Sequence, residues 1–430
     1  LSAGLTIYAP ALILSSLLGW NIFFANVMMG SLVIIYTMTG GSKAVSVTQF
    51  QQMIVISIGM LIAGFMVVRL MPDEIGFFEA LQIAGSLDKL NTITTTFDFS
   101  DKYNIWSGLL GGFFLSLSYF GTDQSQVSRY LSGKSVDESR TGLLMTGFVK
   151  IPMQFLILLI GALLVVFYQF NTSPVFFNQS LLNRVKKTEY VAEINNIETA
   201  HQKIADEKKA IAFQLIQTED NEGLKEELKN LNETEKELRA QTKTIIKQAI
   251  SLADTNDTNY IFLNFVMRYL PQGLIGLLIA VIFCASWSST SSELNALAST
   301  SVIDVYKRLL NKNATDSEYV FASKAATLMW GIFAICVAQF ATAMGSLIEA
   351  VNVLGSLFYG TILGIFLTAF FIKQVKGNSV FIAAIISETI VLLLYIFDIT
   401  AFLWLNLIGC VLVMAISSVL SIFVKETSVK

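Results

Sequence analysis

Side-chain oxygen is densest, inside an apolar run, in the stretch CASWSSTSSELNALASTSVIDVYKR, Cys284 to Arg308, which follows a strongly apolar sequence beginning near Leu274. Six hydroxyls occupy the seven positions 286–292, carried by Ser286, Ser288, Ser289, Thr290, Ser291 and Ser292, and Glu293 and Asn295 follow. At membrane depth an unpartnered polar group costs several kcal/mol, so such a helix must face protein, water or an ion. Hydroxyls, and carbonyls freed by a distorted turn, are hard ligands of the type that suits an alkali cation, and no imidazole accompanies them. The same hydroxyls can instead let helices pack closely and bond back to their own carbonyls. Their density, with a carboxylate next in line, favours the ion-facing reading.

The rest of the chain narrows the choice of chemistry. Its single histidine, His201, lies in a charged segment far from any other catalytic cluster, so histidine-based hydrolysis and zinc chemistry have no residues to work with. Cys284, Cys336 and Cys410 all fall inside apolar runs without metal-type spacing and read as small hydrophobes. A net charge of -3 leaves no nucleic-acid footprint. With 54% hydrophobic and 14% charged residues over 430 positions, the chain is expected to be an all-α polytopic membrane protein and not an enzyme.

Apolar runs able to span a bilayer fall at about 22–39, 46–70, 105–122, 143–168, 272–290, 318–342, 346–372, 379–397 and 402–424. The run LTIYAPALILSSLLGW, without a basic leader, predicts a chain entered partway along a membrane helix, with one or more helices preceding it. Short connectors carrying Lys43; Arg129, Lys134 and Arg140; Lys307, Arg308 and Lys312; Lys373 and Lys376; and Lys425 and Lys430 fall on one side when the spans alternate, which makes that side cytoplasmic. The connectors at 71–104 and 171–259 then lie on the opposite side of a plasma-type (inner) membrane.

From about Arg184 to Lys247 the composition becomes that of a soluble helix. Ile197, Ile204 and Ile211 recur every seven residues, as do Leu224, Leu231, Leu238 and Ile245. QTEDNEG lies between the two runs, with Asp220, Asn221 and Gly223 suited to a turn. The pattern predicts an antiparallel, coiled-coil-like hairpin outside the membrane, a self-contained insert at 175–255, and leaves open a solvated charged loop. The expected organisation is a membrane core at 1–174, the insert, and a second stretch of core at 256–430. His201 reads as a surface or seam residue of the hairpin.

Three blocks together resemble the sodium:solute symporter family, which includes sodium–glucose, proline, sialic acid and multivitamin cotransporters. They are the serine-rich helix; GGSKAVSVTQFQQ at Gly40–Gln52; and SYFGTDQSQVSRYLSGKS at Ser118–Ser135, followed by FVKIP at Phe148–Pro152. The resemblance covers nearly everything except the hairpin. It implies two inverted five-helix repeats with extra helices, the LeuT-like arrangement, with ion and substrate near the midplane. It also implies that Leu1–Leu18 is the end of the third core helix, the first two being absent from this chain.

The resemblance maps the family's principal sodium site onto the carbonyl of Ala285 and the hydroxyls of Ser288 and Ser289. These positions follow i, i+3, i+4 spacing and share a helix face. For a second cation site, which some relatives have, the matching hydroxyls are Ser291 and Ser292, but the family's Thr-Asp reads Thr48-Gln49 here. Losing that carboxylate removes the charge that would neutralise a second buried cation. Glu293 either restores it or pairs with a neighbouring amide or water. Among substrate positions, Tyr119 matches an aromatic that covers the substrate in sugar-transporting relatives, and Lys150 matches a lysine that contacts sugar in one branch. Ser116 and Asp123 stand where that branch has Asn. The region IEAVNVLGS adds Glu349 and Asn352.

Expected from this is a sodium-driven symporter that imports a small polar solute (sugar, sialic acid, amino acid or carboxylate) through the bilayer by alternating access. Na+ is the coupling ion and there is no organic cofactor. The alternatives are a membrane sensor with a symporter-like core, or a protein whose helical insert docks a protein partner.

Overall fold

In the computed structural model, residues 1–39, 42–91, 93–131, 133, 135–217, 222–251, 253–341 and 346–423 are described, with 42–50, 129, 216, 217 and 423 by backbone alone. Long apolar runs satisfy every backbone donor internally only by becoming helices. The described residues accordingly form helices joined by short connections and contain no strand beyond an isolated bridge between Thr94 and Asn104. Among the described residues, eight helical stretches are long and apolar enough to cross a membrane.

The chain divides into two compact units. One comprises residues 3–91 and 146–346. Its membrane-length helices are α2 (Ile22–Thr39), α3 (Ser42–Arg69), most of α7 (Val136–Phe170), α12 (Gln272–Thr300) and α13 (Asp316–Phe340), with the shorter α1 (Ser2–Leu18) beside them. The close packing of α2 on α13 follows from paired glycines. A Cβ at Gly30 would run into Ile335, and one at Gly331 into Ile34. Buried Asn26 ties the same pair, donating to the Ala338 carbonyl at 3.2 Å and to Gln339 Oε1 at 3.1 Å.

The other unit comprises residues 1–2, 92–145 and 347–430. It holds α5 (Gly112–Gly121), α6 (Gln124–Leu131), α14 (Leu347–Phe371), α15 (Gly377–Ile396) and α16 (Phe402–Phe423). Gly360 and Gly364 meet the backbone of α16 at Asn406 and Cys410, where any side chain would collide.

Two spans differ from their sequence-based limits. The run at 105–122 becomes a shorter element, a π-helical turn at Ser107–Gly111 leading into α5. Its start is fixed where Asn104 Oδ1 accepts the Ser107 amide at 2.7 Å, and its end where Asp123 Oδ1 accepts the Ser125 amide at 2.9 Å. The run at 272–290 instead continues as α12 to Thr300 and as a π-helical segment to Leu310, held by a hydrogen bond of 2.9 Å from Trp330 Nε1 to Ser301 Oγ. No turn is distorted within the serine run; the widening comes after it.

Helices α8 (Gln179–Val185), α9 (Val191–Gln217) and α10 (Glu222–Ala249) follow α7, and α9 and α10 pack along their length. The turn sequence falls at 218–221, outside the described residues, and Gly223 lies in the first turn of α10 rather than in the turn. The seam holds Ile194, Ile197, Ile211, Leu215, Leu228, Ile245 and Ile246. It also holds charge: Lys208 Nζ and Glu235 Oε2 form a short ion pair of 2.5 Å, and His201 Nε2 lies 3.1 Å from Glu235 Oε1. His201 and Lys208 are both buried. Burial opposes ionisation of Glu235, but the His201 hydrogen bond and the Lys208 charge outweigh it and hold the carboxyl well below the usual range.

The hairpin is not self-contained. Ala212 is fully buried in an apolar cluster to which α3, α7, α11 (Ile261–Tyr269), α12 and the helix Phe77–Ser86 contribute, and Phe213 packs edge-on against Phe170 with ring centroids 5.1 Å apart. At its base Asp257, also buried, accepts from Arg239 at 2.7 Å and from the Phe177 amide at 2.8 Å, with Lys243 at 3.2 Å. Arg239 lies over the Phe177 ring, 4.7 Å from its centroid. Near the tip, Lys229 pairs with Asp88 at 2.7 Å, just beyond α4 (Phe77–Ser86). Apolar and ionic contacts thus tie the hairpin to the helices of its own unit.

Candidate functional site

The helix α12 sorts its hydroxyls by face. Ser286 and Thr290, four residues apart, meet α1: Ser286 Oγ donates to the Thr6 carbonyl, and Thr290 Oγ1 lies 2.8 Å from Thr6 Oγ1 while also donating to the Ser286 carbonyl at 2.9 Å. These two hydroxyls do the packing work that small polar residues commonly do between membrane helices. Thr6 is the partner that the sequence reading missed; one threonine in an apolar helix gives no signal of its own.

Ala285, Ser288 and Ser289 occupy a different face of the same regular helix, one on which Ser292 also falls, four residues on from Ser288 and three on from Ser289. Ser288 is buried, and Ala285 and Ser289 are half-buried. Ser291 is buried as well. Glu293, four residues beyond Ser289 and three beyond Thr290, lies between the stripe that joins α12 to α1 and the stripe of Ala285 and Ser289. The arrangement puts the Ser288 and Ser289 hydroxyls on the face of Ala285, hard neutral oxygens of the type that suits a monovalent cation. The Ala285 carbonyl expected as a third ligand belongs to a regular helical turn and is not freed by a distortion. The Thr48-Gln49 pair falls where side chains are not described.

The sequence match supplies the context for this face. The sodium:solute symporter family matches residues 2–194 and 238–387, leaving the middle of the hairpin outside the match. The chain belongs to the sodium:solute symporter family. Among curated members it is 24% identical over 368 residues to sodium-coupled monocarboxylate transporter 1 of Mus musculus, covering 85% of this chain and 47% of that one. It is 22% identical over 395 residues to the sodium/sialic acid symporter NanT of Aliivibrio fischeri, covering 90% and 61%. With the human sodium/iodide cotransporter it shares 32% identity over 147 residues, 34% of this chain and 22% of that one. The chain thus spans about half the length of several curated relatives it matches. Its fold is that of a solved sodium-coupled sialic acid symporter in a substrate-bound outward-open state, with a TM-score of 0.68 and 20% identity over 99% of this chain and 71% of that one. The LeuT-like class expected from the sequence is therefore the class observed.

The other positions that the family pattern points to are distributed between the units. Tyr119, Ser116 and Asn352 belong to one, and Lys150, on α7, to the other. On α5, Ser116 is exposed and Tyr119 half-buried, its ring 6.4 Å from that of Tyr359 on α14. Tyr359 Oη donates to Asp123 Oδ2 at 2.7 Å, and buried Ser118 donates to the Tyr359 carbonyl at 2.8 Å. Asp123 therefore anchors the aromatic beside Tyr119. Glu349 accepts from Lys102 at 2.8 Å. Asn352 is half-buried one turn further along α14, and Lys150 is exposed. A polar crevice between α4 and α10, lined by Gln82, Ser86, Asp88, Lys225 and Lys229, contains none of these residues.

Proposed function

We propose that this chain is the core of a sodium-coupled symporter, a transporter and not an enzyme, that imports a small polar organic solute across a plasma-type membrane by alternating access. The observation that carries the reading is the division of α12, with Ser286 and Thr290 bound to α1 while Ser288 and Ser289 share a separate face with Ala285, within a chain of a sodium-symporter family. Sodium at Ala285, Ser288 and Ser289 favours the outward-open state, since an ion with equal affinity for both states would shift nothing. One sodium per cycle is the expected stoichiometry, because the resemblance puts Gln49 where family members with a second site have an acid, and a neutral site offers a second buried cation no compensating charge. If a second cation does bind, Ser291, Ser292 and Glu293 are the residues to test. Ser116, Tyr119, Lys150 and Asn352 are the residues proposed to contact the solute. The relatives transport monocarboxylates and sialic acid, as their names state, and those classes head the substrate screen. The basic connectors opposite it support an extracytoplasmic position for the 175–255 segment. The test is uptake of labelled solutes by proteoliposomes containing the full-length protein, with and without an inward sodium gradient. Uptake that is driven by sodium and weakened by Ser288→Ala supports the reading, and indifference to sodium overturns it.

A further inference from the structure

The span α15 is apolar except at one place. Glu388 is the twelfth of its twenty residues, near mid-span, where a carboxylate has no water to ionise into. The family match ends one residue earlier, at 387, and no part of the ion or substrate reading uses this residue. The side-chain group set against the Glu388 carboxyl is the hydroxyl of Thr361 on α14, a residue 6% exposed. Despite that approach, neither Glu388 Oε1 nor Thr361 Oγ1 completes a hydrogen bond, and both atoms are buried. The surroundings are built for close approach. A Cβ on Gly409 of α16 would lie 3.1 Å from Thr361 Oγ1, and one turn away Asn406 Nδ2 donates to Ser356 Oγ at 2.8 Å.

No charge is at hand to neutralise an ionised Glu388. The helices packed on α15 are α14 and α16. On α14, Glu349 is engaged with Lys102 and Tyr359 with Asp123. The titratable group on α16 is the Cys410 thiol, and on α15 itself Tyr395 lies two turns further on. Glu388 forms no ion pair among the described residues. A carboxylate left in such a place is driven to neutralise, by a proton or by a bound cation.

We propose that Glu388, set against Thr361 where α15 packs on α14, is an intramembrane proton-binding site. A carboxylate and a single hydroxyl offer too few ligands for an alkali cation stripped of its water, whereas a proton needs only one acceptor. On binding, the proton joins Glu388 Oε1, which becomes an O–H donor to Thr361 Oγ1, and both orphaned atoms gain a partner. Its loss leaves a bare carboxylate in the apolar seam between α14 and α15.

The test is infrared difference spectroscopy of the full-length protein in lipid vesicles over a pH titration. The expected result is a protonated-carboxyl C=O band at neutral pH that disappears in a single step on alkalinisation, is lost in Glu388→Gln, and shifts in Thr361→Val. If Glu388→Gln does not fold, Glu388→Asp takes its place; it keeps the acid but withdraws it from Thr361, and must shift the band. Absence of the band at neutral pH, or a band that responds to sodium and not to pH, overturns the proposal.

Discussion

Two helical surfaces in one unit bury polar side chains in opposite ways. On α12 the polar groups are neutral hydroxyls, and those of Ser286 and Thr290 close onto carbonyls and a hydroxyl within reach, while Ser288 and Ser289 fall on another face of the same helix. In the hairpin seam the buried groups are ionic, and Lys208 and Glu235 are fixed on each other with His201 alongside. A hydroxyl can return to its own backbone when no partner arrives, so a serine-rich face tolerates alternately filled and empty states. A buried charge has no such retreat and must stay paired. The first surface therefore has the chemistry that the proposed ion site requires, while the second can only hold a shape.

The hardest test of that contrast removes the hairpin. Its seven-residue seams and charge suggest from sequence that deleting about 187–252 would be tolerated, but the structure predicts the opposite. The deletion strips Ala212 and Phe213 from the membrane-helix cluster and leaves Asp257 buried without Arg239 and Lys243. Loss of most monodisperse protein on size exclusion is expected; a stable, folded deletion variant would show that the docking is dispensable.

Glu235→Ala is the next largest effect. It leaves the buried Lys208 ammonium unpaired and should destabilise the hairpin by about 3–5 kcal/mol, whereas Glu235→Leu combined with Lys208→Leu should be nearly neutral, as is common for buried pairs replaced together. Thermal unfolding of both variants decides it, and equal losses would mean that the pair is not the source. The acid limb follows in sign. The Glu235 carboxyl is depressed in the folded protein, so its contribution is complete above the ordinary value of 4.5 and is lost as pH falls below that toward the folded-state value. Unfolding followed against pH should show no loss from this pair at neutral pH and a steepening loss in acid.

On α12 the effects are smaller and divide by face. Ser288→Ala or Ser289→Ala should raise the sodium concentration for half-maximal uptake about tenfold, roughly the value of one charge-assisted contact. Thr290→Val, which removes only the bond to Thr6 and to its own helix, should lower stability by about 1 kcal/mol and leave sodium dependence alone. A sodium shift in Thr290→Val equal to that in Ser288→Ala would erase the distinction between the faces.

By itself the sequence determined the class of molecule: apolar run length and the spacing of 285, 288 and 289 are local properties, and so are the seven-residue seams that foretell the paired helices. Local pattern also exposed the wrong part of the hairpin. The isoleucines and leucines announce a seam and leave His201 either on its surface or within it; that His201 and Lys208 are buried around Glu235 emerges only when α9 and α10 are laid side by side, since burial belongs to the pair and not to either helix. Docking at Ala212 and Asp257 joins residues from separate stretches of chain, and no periodicity records it. The roles of Ser286 and Thr290 depended on where Thr6 lies, 280 and 284 residues away in sequence. Glu388 was in plain view as an acid in an apolar run, yet its meaning came only with Thr361. A lone intramembrane carboxylate acquires chemistry from what faces it, and only the packing of helices decides that.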